Sequence, residues 1–181
     1  MRIVPDVAIE PDGKDWTWVL QRPCPECGLA ASDVAGGDVA GRVRDAAGAF
    51  AQRLTEPGAT DRPDEGTWSP LEYACHVRDV CRVFDGRLAA MLEQDDPLFD
   101  YWDQDATAVA DRYREQDPAV VRQQVVDEAE ALAGRFDSVG DEQWQRPGRR
   151  SNGSVFTVET LGQYLVHDLV HHVHDVSAGR R

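Results

Sequence analysis

The sequence predicts an all-α protein of four principal helices behind an irregular N-terminal extension, and three observations carry that prediction. Four stretches place apolar residues at the i, i+3, i+4, i+7 spacing that lays a single stripe along a helix. A capping residue stands ahead of each of them. Almost nothing alternates apolar with polar residues in the manner of a half-buried strand.

Residues 1–30 are the least periodic part and read as an extension packed on a helical body, with "DWTWVL" as a short extended piece. The body, residues 31–181, opens with "SDVAGGDVAGRVRDAAGAFAQRL". Ser32 or Asp33 is its N-cap, and Val43, Ala46, Ala47, Phe50 and Leu54 form the inward stripe. Proline and glycine in "EPGATDRPDEG" end that helix. The second starts at Ser69 as N-cap, Pro70 in the first turn and Glu72 three residues on, a capping box. It runs to about Gln94 with Tyr73, Val77, Val80, Cys81, Phe84, Leu88 and Met91 inward. The 100° step of a helix puts His76 at the edge of that face, half-buried.

After the loop "QDDPLFDYWDQ" a short helix is expected in "ATAVADRYRE". Asp117 and Pro118 then open the third long helix, which turns Val121, Val125, Ala129, Leu132 and Phe136 inward. "SVGDEQWQRPGRRSNGS" reads as a turn-rich connection serving as a lid or rim. Thr157 caps the last helix, whose buried stripe is Val158, Leu161, Leu165, Leu169, Val173 and Val176.

At 181 residues the chain is most simply one domain, able to bury roughly 70% of its unfolded surface without disulfides. Its net charge of -14 argues against nucleic acid and anionic lipid as partners, and the only concentration of basic residues is Arg146, Arg149 and Arg150. The start lacks the apolar core of a secretion signal, and no apolar run approaches a membrane span, so a cytoplasmic protein is expected. Lys14 is the only lysine, a codon bias that points toward a GC-rich bacterial genome. Four cysteines do not make a disulfide framework. "CPECG" at 24–28 looks like half a zinc knuckle, but no second pair with knuckle spacing follows. The expectation is a turn with two ordinary cysteines and no metal of their own.

The chemistry-bearing stretch is "HDLVHHVHDV", residues 167–176, with four of the five histidines. Residues four apart share a helix face, so two pairs compete: His167 with His171, and Asp168 with His172. On the helical wheel His172 falls within the buried stripe and Asp168 on its margin. His167, His171 and His174 project from the other side and read as a solvated face. An interior metal needs inward ligands, which selects Asp168 and His172, with His76 of the second helix as third arm.

"WSPLEYACHVRDV" and "FTVETLGQYLVHDLVHHVHDV" resemble the two signature helices of the DinB-like superfamily, which includes YfiT-like proteins and mycothiol-dependent maleylpyruvate isomerase. The resemblance covers about 32–176, leaving "CPECG" outside, and implies an up-down-down-up four-helix bundle with a long second crossover. It also implies a divalent metal held by one histidine of the second helix and two ligands four apart on the last. Carried over, these fall on His76, Asp168 and His172. Many relatives have histidine where Asp168 stands, whereas the mycothiol-dependent isomerase is similar in using a carboxylate. A two-His, one-carboxylate set suits zinc or nickel first, and also manganese or iron, and leaves coordination positions open.

The resemblance implies a metal-dependent enzyme using a low-molecular-weight thiol, mycothiol in an actinobacterial host, for S-transfer or isomerisation of a small-molecule substrate. Hydrolysis is the second enzymatic reading, with Glu72, Asp79 or Asp175 as candidate proton carriers. The non-enzymatic alternative is a binding bundle that forms a homodimer. An open cleft with a free coordination position separates enzyme from scaffold.

Overall fold

The computed structural model describes residue 9, residue 11 and residues 13–178, and builds them on four long helices. These are α1 (Val39–Arg53), α2 (Pro70–Glu93), α4 (Pro118–Asp137) and α5 (Val158–Ala178). A short α3 (Gln104–Ala110) lies in the crossover from α2 to α4. Both α1 and α2 pack chiefly on α4 and α5, so the helices ring the core in the order α1, α4, α2, α5. The bundle has the expected up-down-down-up course.

Each long helix buries most of the stripe its sequence lays down, with Tyr73 of α2 and Val173 of α5 only half-buried at its edge. Val43, Ala46, Ala47 and Phe50 of α1 meet Val125, Ala129, Leu132 and Phe136 of α4 in one continuous core, closed by Leu88 and Met91 of α2 and Leu161, Leu165 and Leu169 of α5. The predicted starts of α2, α4 and α5 hold. The Ser69 hydroxyl accepts from the Glu72 amide while Glu72 Oε2 accepts from the Ser69 amide at 2.9 Å, and Asp117 Oδ1 accepts from Ala119 at 2.7 Å. Thr157 Oγ1 accepts from the Thr160 amide at 3.1 Å. At the other end of α2, Arg146 donates to the carbonyls of Met91 (2.5 Å) and Gln94 (2.7 Å), groups a helix C-terminus leaves without partners.

Four local expectations are corrected. The first helix begins at Val39, not after Ser32 or Asp33. Two single-turn 3-10 segments (Ala31–Asp33 and Gly36–Asp38) precede it, because the Gly36-Gly37 pair resists helix and Gly36 lies flat against Trp144, where a Cβ would come within 2.8 Å of the indole. "DWTWVL" is not extended: Asp15 Oδ1 accepts from the Thr17 amide at 2.9 Å and starts a 3-10 turn over Thr17–Leu20. The crossover helix starts earlier than read and stops at Ala110, after which Arg112 adopts a left-handed backbone (φ 48°) before a 3-10 turn at Tyr113–Glu115. The turn-rich connection contains β2 (Pro147–Arg150), which pairs as a hairpin with β3 (Val155–Thr157) immediately after it. A two-residue β1 (Leu98–Phe99) joins β2 in parallel.

No helix among the described residues is long and apolar enough to cross a membrane. The three arginines singled out by the sequence do not form a patch for phosphates. Arg146 caps α2, Arg149 pairs with Asp96, and Arg150 lies over the Phe156 and Tyr164 rings.

Candidate metal centre

The second turn of α2 and the second half of α5 face each other, and there His76, Asp168 and His172 come together with one potential ligand atom each, all within 4.8 Å of one another. His76 Nε2 lies 3.8 Å from Asp168 Oδ2, and His172 Nε2 lies 3.8 Å from Asp168 Oδ1. Two ligands of a tetrahedral ion at roughly 2.1 Å subtend about 3.4 Å, so a small inward movement closes the set on a cation. His76 is 1% exposed, not half-buried as its wheel position suggested. Trp68 and Trp102 cover it, with ring centroids 5.5 and 5.8 Å from the imidazole.

Two buried atoms in this group have no hydrogen-bond partner: His76 Nδ1 and Asp168 Oδ2. Buried polar atoms are seldom left so, since each forfeits the hydration it had in water. Burial, and then the neighbouring His172, push the His76 pKa well below the ordinary value. Burial raises that of Asp168, with His172 and His171 pulling the other way. Burial thus disfavours charge on both His76 and Asp168, and a cation held between an imidazole nitrogen and the carboxylate is a group that would complete the cluster.

His172 is already oriented. Its Nδ1 is 2.9 Å from Asp175 Oδ2, which leaves Nε2 for the cluster, the carboxylate-imidazole arrangement that aims metal ligands. The group opens on a cavity of about 310 Å³ lined also by Trp16, Trp68, Tyr73, Gln104 and Asp105. A second cavity, of about 220 Å³, meets it along Asp168 and Tyr164 and is bordered by Arg87 and Arg150.

The candidate proton carriers are engaged elsewhere. Glu72 accepts from Arg62 and Ser69. Asp79 is held by Arg78, Arg82 and a 2.5 Å hydrogen bond from Tyr113. Asp175 holds His172. Cys75 and Cys81 are core residues whose thiols burial pushes up to about 12, with no part in the cluster.

The reading of His167 and His171 as a solvated face is corrected. They are 3% and 8% exposed, because residues 13–38 pack along that side of α5 and the Trp16 ring lies tilted against both imidazoles, with centroids 5.7 and 5.2 Å away. Only His174 of the three is exposed. The premise that "CPECG" lacks further ligands is also corrected: Cys24, Cys27, His167 and His171 form a second group, again with ligand atoms within 4.8 Å. All four cysteines are free thiols.

A model of the DinB superfamily matches residues 41–176. Among solved structures, the chain is similar to YfiT from Bacillus subtilis, described as a probable metal-dependent hydrolase with an unusual four-helix bundle topology. The two are 15% identical with a TM-score of 0.69, over 79% of this chain and 86% of that one. Likeness at this identity speaks for the fold. No curated protein matches the sequence.

Proposed function

The chain belongs to the DinB superfamily, and from that premise we propose a metal-dependent enzyme whose cation is held by His76, Asp168 and His172 and whose co-substrate is a low-molecular-weight thiol of the mycothiol type. The reaction is S-transfer to a small electrophile or its thiol-assisted isomerisation. The observation that carries the reading is the convergence of three ligand groups on the wall of an open cavity, with Asp168 Oδ2 buried and without a hydrogen-bond partner among them. Three protein ligands beside open space describe a catalytic rather than a structural site.

When bound, a divalent cation supplies the Lewis acidity that keeps a thiol deprotonated near neutral pH. The chain's own residues supply the rest. Asp175 fixes the His172 tautomer, Trp68 and Trp102 keep water from His76, and Trp16 and Tyr73 wall the space a thiol co-substrate occupies. A thiol is favoured over water as nucleophile because Glu72, Asp79 and Asp175 are all engaged, which leaves water without a base among them. Arg87 and Arg150 at the adjoining cavity suit an electrophile bearing a carboxylate. Burial, and next Arg150, lower the Arg87 pKa to about 10, so it stays protonated at neutral pH.

Hydrolysis is the second reading, favoured by the description of the similar YfiT structure. One assay separates them. Electrophiles, carboxylated and not, are incubated with mycothiol, bacillithiol, glutathione or no thiol, using metal-loaded wild type and His76→Ala. Conversion that needs both thiol and His76 is expected. Conversion without thiol supports the hydrolase, and equal rates for both proteins leave the binding bundle.

A further inference from the structure

We propose that Cys24, Cys27, His167 and His171 form a second, structural zinc site that pins the N-terminal segment to α5. The four side chains come from two places far apart in sequence. The first is the turn "CPECG", closed by hydrogen bonds from the Cys24 amide to the Leu29 carbonyl and from the Gly28 amide to the Cys24 carbonyl, both 2.9 Å. Gly28 takes a left-handed backbone (φ +76°) that a side chain would strain, and this fold of the turn brings both sulfurs to one side. The second is one face of α5, where His167 and His171 stand four residues apart with rings 5.3 Å from each other.

The distances are those of ligands rather than of packed neighbours. Cys24 Sγ is 3.7 Å from His171 Nδ1. A sulfur at about 2.3 Å and a nitrogen at about 2.05 Å on a tetrahedral zinc lie about 3.6 Å apart. Cys24 is 1% exposed and His167 3%, and His167 Nε2 is buried with no hydrogen-bond partner. The other ring nitrogen of His171 faces carboxylates, Glu26 Oε2 at 3.6 Å and Asp175 Oδ1 at 3.9 Å, as ligating imidazoles commonly do. Two thiolates, two neutral imidazoles and Zn²⁺ sum to no net charge, which suits a site with Trp16 lying over it. Four protein ligands fill a tetrahedral zinc, so the site is structural.

Its consequence is mechanical. Residues 13–38 have two single-turn 3-10 segments and one slightly longer to hold them, and the cross-link fastens them beside the cavity that Trp16 helps to line. Because His171 and His172 are neighbours, the same cross-link fixes the rotation of α5 that presents Asp168 and His172 to His76.

Cobalt(II) is the probe, loaded into the untagged full chain under reducing conditions. Wild type takes up two equivalents and shows the near-ultraviolet thiolate-to-cobalt charge-transfer band. His76→Ala keeps one equivalent and the band; Cys24→Ser/Cys27→Ser keeps one equivalent without it. Should the double variant not fold, the His76→Ala spectrum decides alone. If wild type and His76→Ala each bind one equivalent with the band, the second site stands and the reading of the open site falls. Absence of the band from both, with Cys24 and Cys27 freely reactive, overturns the proposal.

Discussion

Two clusters of potential ligands flank α5, each built on an i,i+4 pair offset from the other by one residue; His167 and His171 border the same cavity as Asp168 and His172, but the two clusters differ in the number and kind of ligands they offer. Asp168 and His172 turn into the bundle, meet one further ligand from α2, and open on a cavity. His167 and His171 turn about 100° away, meet two cysteines from the N-terminal turn, and are covered by Trp16. Three ligands with a carboxylate leave a position for substrate, whereas four with two thiolates leave none. One helix would thus carry a three-ligand site and a four-ligand site side by side. The pairs that compete in the sequence do not compete in the fold.

The sharpest way to break the comparison is to remove one histidine from the open cluster. His172→Ala is expected to abolish binding there, leaving one equivalent per chain, because the remaining His76 and Asp168 cannot hold a cation in a buried site. His174→Ala, two residues beyond His172, outside both clusters and exposed, is expected to keep both equivalents. Elemental analysis of protein prepared without a His tag reads this directly. A His172→Ala chain that retained both equivalents would mean that the open cluster is not a site.

A smaller effect tests whether the clusters are coupled. Asp175 places one carboxylate oxygen 2.9 Å from His172 Nδ1 and the other 3.9 Å from His171 Nε2, behind both. Loss of such an orienting partner typically costs about 10–100-fold in metal affinity. Asp175→Asn is therefore expected to weaken the open site by that factor and the closed site by less, since its contact to His171 is longer and Glu26 shares it. Competition titration with a chelator resolves the two. Unchanged affinity at the open site would show that Asp175 serves only to hold the helix end.

How much of this was legible follows from where the information sits. The long helices were readable because Val121, Val125, Ala129, Leu132 and Phe136, and their counterparts on α2 and α5, announce a face within one segment, and because Ser69, Asp117 and Thr157 cap locally. The grouping of His76, Asp168 and His172 was readable for the same reason: a pair on one face of a helix, and a histidine near the inner face of another. The strands were not, since two to four residues such as "LF" and "PGRR" carry no period. The closed cluster was not, because it depends on Cys24 meeting His171 across 147 positions, which no local pattern encodes. Two signals did point to it, a CxxC turn short of two ligands and a histidine pair without an assignment. Joining them required knowing that residues 13–38 cover α5.

The smallest expected effect concerns the start of α2, on which the position of His76 depends. Glu72 is 2% exposed and accepts at once from the Ser69 amide and hydroxyl and from the Arg62 guanidinium. Burial pushes its pKa up, but the Arg62 and Ser69 hydrogen bonds outweigh that and hold it below the usual glutamate value. A carboxylate whose folded pKa is depressed stabilises the protein above its unfolded value, and that stabilisation disappears as pH falls through the folded one. Glu72→Gln keeps an acceptor for the capping box but loses the charge opposite Arg62, a cost of about 1–2 kcal/mol at neutral pH for a charge-assisted hydrogen bond. The difference between wild type and variant is expected to be constant from pH 8 to about 6, to shrink as pH falls below about 4.5, the ordinary value, and to vanish once Glu72 is protonated in the folded chain. Urea unfolding across that range measures it. A difference that persisted in acid would assign the loss to packing rather than charge, and would leave Arg62 with no part in setting the helix that carries His76.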